Sequence, residues 1–87
     1  MTSKTKFVKA KVIHHMTPGE MLRTIRILQE LSQNDLAKLT GLPQSNISAY
    51  ERGSRQMGRE SALIFAKALK THPAVLLFPD YNVNKAA

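Results

Sequence analysis

The side chains that most often do chemistry are sparse in this sequence, and their spacing argues against catalysis. Of the three histidines, His14 and His15 are adjacent, which is not a helical or finger metal-ligand spacing. Neither a cysteine nor a nearby acid completes a metal set around them. His72 precedes Pro73 and reads as a helix cap or surface residue. Ser, His and Asp are all present but nowhere arranged as a triad, and no glycine-rich phosphate loop or paired-carboxylate pattern occurs. No enzyme activity, metal, cofactor or small-molecule substrate is expected. The chemistry that remains is charge. Thirteen Lys and Arg stand against six Asp and Glu, a formal net charge of +7. Such an excess favours a polyanionic partner, whether nucleic acid or an anionic membrane surface.

A single small domain is expected to carry those charges, since 87 residues suit one domain and not two. The first sixteen residues form a basic arm with Lys4, Lys6, Lys9 and Lys11. Within it, Val8, Ala10 and Val12 alternate with lysines at the period of a half-buried strand. Helical punctuation begins at Thr17. Thr17-Pro18-Gly19-Glu20 combines a hydroxyl N-cap, proline at the first helical position and a carboxylate three residues beyond the cap. A first helix is expected over about 18–30. Ser32 and Asp35 repeat the cap for a short second helix, which Gly41 stops by tolerating left-handed geometry. A third helix is expected from Gln44 to Arg52, a fourth over about 59–70, and a short fifth from Pro73, closed by Phe78-Pro79. The region 17–79 is thus read as the domain and 80–87 as a flexible tail.

The close succession of the second and third helices is the informative feature. Two helices joined by a tight turn cross steeply only with a small residue at the contact, a turn residue at positive φ and an apolar filler between them. Ala37, Gly41 and Ile47 supply these. The segments Leu31–Ala37, Gly41–Ser48 and Tyr50–Gly53 resemble the phage-repressor/Cro (lambda-repressor-like, XRE) helix-turn-helix family, with the likeness running over about residues 18–78. The resemblance implies an all-α, compact five-helix domain whose third helix docks in a DNA major groove. It further implies that Gln44 is the principal base reader, since an amide pairs bidentately with adenine. Ser45, Asn46 and Ala49 would lie on the same face, with Ser48 a further candidate. Gln33, Arg52, Arg55 and Arg59 would contact phosphates, which positions the protein without specifying sequence. Arg26 and Glu51 would form an architectural ion pair.

One recognition helix reads few base pairs, so a homodimer on a palindromic operator is expected. Phe65, Leu76 and Phe78 belong to an apolar excess that is read either as consumed by the core or as the dimer interface. The arm is read either as a tail following the DNA backbone or as a strand pairing with another chain. Short members of this family are often repressors, or antitoxins that neutralise a toxin protein and repress their own operon. The function expected is sequence-specific binding of double-stranded DNA, with the antitoxin as its rival. A membrane-surface or RNA-binding module is a weaker reading, because three Phe and two Tyr at mostly core-like positions leave little for base stacking. No secretory signal and no run approaching about 18 apolar residues is present. A cytoplasmic location is therefore expected.

Overall fold

A computed structural model describes residues 15–80. The proposed strand at Val8, Ala10 and Val12, and the tail from Asn82, lie outside the described residues. Five helices follow in order: α1 (Pro18–Leu28), α2 (Gln33–Thr40), α3 (Gln44–Arg52), α4 (Arg59–Leu69) and α5 (Pro73–Leu77). The described residues are all-α, as expected.

Side-chain caps explain where α1, α2 and α5 start. Thr17 Oγ1 accepts from the Glu20 amide at 3.1 Å, and Glu20 Oε1 accepts from the Thr17 amide at 2.9 Å. The pair at α2 is equivalent: Ser32 Oγ accepts from the Asp35 amide at 2.9 Å, and Asp35 Oδ2 accepts from the Ser32 amide at 2.8 Å. Each box satisfies amides that a helix start leaves unpaired. His72 caps α5 through its Nδ1, which accepts from the Ala74 amide at 3.0 Å. Helix ends are less regular. α2 and α3 stop at Gly41 and Gly53, both left-handed. α1 stops at Leu28, two residues before the expected end, and Glu30 takes a positive φ of 60° without being glycine. Lys70 does the same after α4, at 57°.

The core joins one stripe from every helix: Leu22, Leu36, Ile47, Phe65, Leu69 and Leu76 are fully buried. Tyr50 meets Phe65 edge to face at 5.2 Å between ring centroids, and its hydroxyl lies 2.8 Å from Ser61 Oγ. The start of α1 touches the end of α3 so closely that Gly19 is required there. A Cβ at Gly19 would stand 2.1 Å from the Tyr50 carbonyl oxygen. At the other end of α1, Gln29 Nε2 donates to the Leu69 carbonyl at 2.8 Å, tying α1 to the end of α4. Asp80 ties the two ends of the described segment together, accepting from the Met16 amide at 2.8 Å and lying 3.3 Å from His15 Nδ1.

This packing corrects one expectation. Phe65 and Leu76 are completely covered within the monomer and offer no surface to a second chain. Of the three residues assigned to a dimer interface, only Phe78 is exposed, at 63%. The apolar excess of α4 has a different outlet: Leu63 and Ile64 face outward at 48% and 40% exposure.

Candidate nucleic-acid interface

The three residues invoked for a steep crossing occupy the positions that need them. Ala37 is buried on α2, Gly41 has φ 77°, and Ile47 is fully buried on α3. α3 buries Ile47, Tyr50 and Glu51, the i, i+3, i+4 stripe of one helical face. Gln44 and Ser45 are therefore left exposed, with Asn46, Ser48 and Ala49 half-buried beside them. Pro43 precedes the helix and makes no side-chain cap. Its carbonyl takes the amides of Asn46 and Ile47, at 3.0 and 3.3 Å. The first turn of α3, the positive end of its dipole, thus faces outward without a capping side chain.

Behind that turn runs a continuous polar chain. Arg26 Nε donates to Glu51 Oε2 at 2.7 Å, and Arg26 Nη2 donates to Glu51 Oε1 at 3.0 Å. This is the expected α1–α3 ion pair in its bidentate form, with both residues buried. The Glu51 carboxylate holds the guanidinium pKa above its ordinary value, chiefly by hydrogen bonding and further by charge, against an opposing effect of burial. Arg26 Nη1 also donates to the Leu31 carbonyl at 2.8 Å, so one side chain fixes the α1–α2 connection as well. From Glu51 the chain turns outward. Gln33 Nε2 donates to Glu51 Oε1 at 3.0 Å, and Gln33 Oε1 accepts from Gln44 Nε2 at 3.4 Å. The sequence suggested Gln33 and Gln44 as separate contacts. Their engagement with each other and with Glu51 was not foreseen, because 11 and 18 residues separate the partners.

The arginines are exposed and locally tethered. Arg52 donates to Ser48 Oγ one turn earlier and to Ser54 Oγ at 3.5 Å. Ser48, considered as a base contact, is thereby occupied as a support for Arg52. The Arg55 guanidinium lies over the Tyr50 ring, 5.7 Å from its centroid, a cation–π distance. Its amide bonds the Ala49 carbonyl at 3.2 Å, which pins the loop to the end of α3. Arg59 opens α4 and is exposed. Among the described residues, no group of three or more His, Cys, Asp or Glu side chains is placed to hold a metal ion.

Comparison with known proteins then decides the family: a model described as helix-turn-helix matches residues 22–76. The chain belongs to this helix-turn-helix family. It is the lambda-repressor-like, XRE type, whose members here are DNA-binding regulators of transcription and not enzymes. The control protein C.SmaI of Serratia marcescens is 38% identical over 59 residues, covering 68% of this chain and 70% of that protein. The P22 c2 repressor, solved with a synthetic operator, superposes with a TM-score of 0.68 at 32% identity, covering 75% of this chain and 98% of the other. The restriction-modification controller protein C.AhdI of Aeromonas hydrophila gives 0.65 at 38% identity, covering 69% and 91%. The helix-turn-helix unit of this family is, in the present chain, α2 and α3.

Proposed function

We propose that this protein is an operator-binding regulator of transcription that acts as a homodimer, with Gln44 as its principal base reader. One observation carries the reading: α3 buries a single face and leaves its uncapped first turn, with Gln44 and Ser45, projecting from the body. An amide there presents a donor and an acceptor to the edge of adenine. Asn46 and Ala49 lie beside it, Ala49 offering a methyl group to thymine. Arg52, Arg55 and Arg59, with the remaining amide proton of Gln33, supply phosphate contacts that hold the helix in register. The net charge of +7 supplies attraction to any duplex, and the first turn of α3 supplies discrimination.

Two copies are needed because one helix spans few base pairs. Among the exposed apolar residues, Phe78 and Val75, 63% and 38% exposed at the end of the described segment, are the surface we assign to pairing. Between operator control and toxin neutralisation, the likeness to a phage repressor and to restriction-modification control proteins supports the first. No described helix is long and apolar enough to cross a membrane, and the site of action is where the operator lies, the cytoplasm or nucleoid. Selection of bound duplexes from a random pool tests the reading. A consensus with two-fold symmetry is expected. A pool without consensus would remove the claim of specificity, and an asymmetric half-site would remove the dimer.

A further inference from the structure

We infer that the buried Glu51 is a specificity-determining positioning residue: acting through Gln33, it fixes which end of the Gln44 amide faces the DNA. The inference rests on the reading of Gln44 as the base reader and deepens it. In the ion pair with Arg26, the Glu51 carboxylate only accepts hydrogen bonds. Gln33, 3.0 Å away, must therefore turn its NH2 group inward. Its carbonyl is then forced outward, and the group beyond it must donate. Gln44 meets that demand with one N–H of Nε2, at 3.4 Å. The amide polarity of the whole chain is thus set from the core, by a residue with only 9% of its surface exposed.

The consequence is a count of donors. Gln44 has two N–H groups and one carbonyl. One N–H is used on Gln33, which leaves one donor and one acceptor for a ligand. Adenine offers the complementary pair in the major groove, an acceptor at N7 and a donor at N6. Guanine offers two acceptors, N7 and O6. A Gln44 released from Gln33 has two N–H groups for those acceptors, whereas a tethered Gln44 sets its carbonyl against one of them. The tether therefore selects against guanine, beyond the attraction to adenine that any glutamine has.

Two variants separate this from a purely architectural role. Gln33→Met removes the tether and leaves the Arg26–Glu51 pair intact. Arg26→Met/Glu51→Leu removes the obligate acceptor together with its buried counter-charge, so that Gln33 is free to turn either end of its amide toward Gln44. The measurement is the ratio of dissociation constants for the selected operator carrying adenine or guanine at the pair read by Gln44. That pair is located as the one at which Gln44→Ala loses discrimination. Circular dichroism checks that each variant is folded, and Gln33→Met decides the matter if Arg26→Met/Glu51→Leu is not. Both variants are expected to cut the adenine-over-guanine ratio by about tenfold. If Gln44→Ala abolishes the preference while Gln33→Met and Arg26→Met/Glu51→Leu weaken every duplex alike and keep the ratio, Glu51 is architectural only and the inference fails. If Gln44→Ala changes no ratio at any position, the reading of Gln44 fails first and takes the inference with it.

Discussion

Replacing Gly19 by alanine sets two known effects against each other, and the structure decides the sign. Helix propensity favours alanine by up to about 1 kcal/mol, and Gly19 lies in the first turn of α1. Packing opposes it. The new Cβ would stand 2.1 Å from the Tyr50 carbonyl oxygen, 3.0 Å from that of Glu51 and 3.2 Å from the Tyr50 carbonyl carbon. Ordinary carbon–oxygen approaches are about 3.3–3.6 Å, so α1 and the end of α3 must separate by about 1 Å. These three nearest atoms are all backbone, so the closest contacts cannot be relieved by a side chain swinging aside. Overpacking of this kind costs about 1–3 kcal/mol and occasionally more. The same α1 carries Arg26, whose bonds to Glu51 at 2.7 and 3.0 Å would be stretched by the shift. A net loss of about 2 kcal/mol is expected, equivalent to a fall in Tm of about 8–16 °C for a domain of this size. Thermal unfolding followed by circular dichroism measures it. Gly58→Ala controls for the residue change without the clash: no atom lies within 4 Å of its Cβ position and its φ is −104°, so only the weaker N-cap preference of alanine at the start of α4, about 1 kcal/mol or less, acts there. A Gly19→Ala protein as stable as the parent would refute the close approach of α1 and α3 on which the geometry of the ion pair depends.

Other outcomes follow from the same contacts. Arg26→Met strands a buried carboxylate and should cost about 3–5 kcal/mol in urea denaturation, while the double change Arg26→Met/Glu51→Leu should recover much of that loss. Asp35 is held below the ordinary Asp value of 3.8, first by its hydrogen bond with the Ser32 backbone and then by that with the Ser32 side chain. Because its folded-state pKa is depressed, its contribution is fully present above pH 3.8 and is lost as pH falls through the folded value. The stability gap between the parent and Asp35→Ala should accordingly be constant near neutrality and close below about pH 3.8. Arg52→Ala should weaken cognate and scrambled duplexes alike and reduce the slope of log affinity against log salt by about one. Phe78→Asp should convert a dimer to a monomer in sedimentation equilibrium without lowering Tm in proportion, since Phe78 is largely exposed.

Helix starts were legible because their signals are local. Thr17 with Glu20 and Ser32 with Asp35 satisfy amides within three residues, His72 accepts from the Ala74 amide just beyond Pro73, and the structure shows all three caps. Helix ends were legible only where glycine marks them. Gly41 and Gly53 stop α2 and α3 as expected, but Glu30 and Lys70 adopt positive φ without the residue that advertises it. α1 accordingly ends at Leu28, two residues before the sequence pattern places its end. The Arg26–Glu51 pair came from family resemblance, not from spacing, since nothing in a 25-residue separation indicates contact. The same distance in sequence hid the role of Gln33. Gly19 read as part of a cap, because its second role depends on a helix thirty residues later coming within reach of its α-carbon. Phe65 and Leu76 were misassigned because composition reveals an apolar excess without saying which members of it the core retains. Among the described residues, the excess emerges at Leu63, Ile64, Val75 and Phe78.

Sequence-specific recognition depends most on the first turn of α3 reading base edges. Its most direct test is the affinity of Gln44→Ala for the selected operator and for a scrambled duplex at one salt concentration. The geometry predicts a loss of about 1–3 kcal/mol on the operator and none on the scrambled duplex. An equal loss on both, or no loss on either, would contradict it.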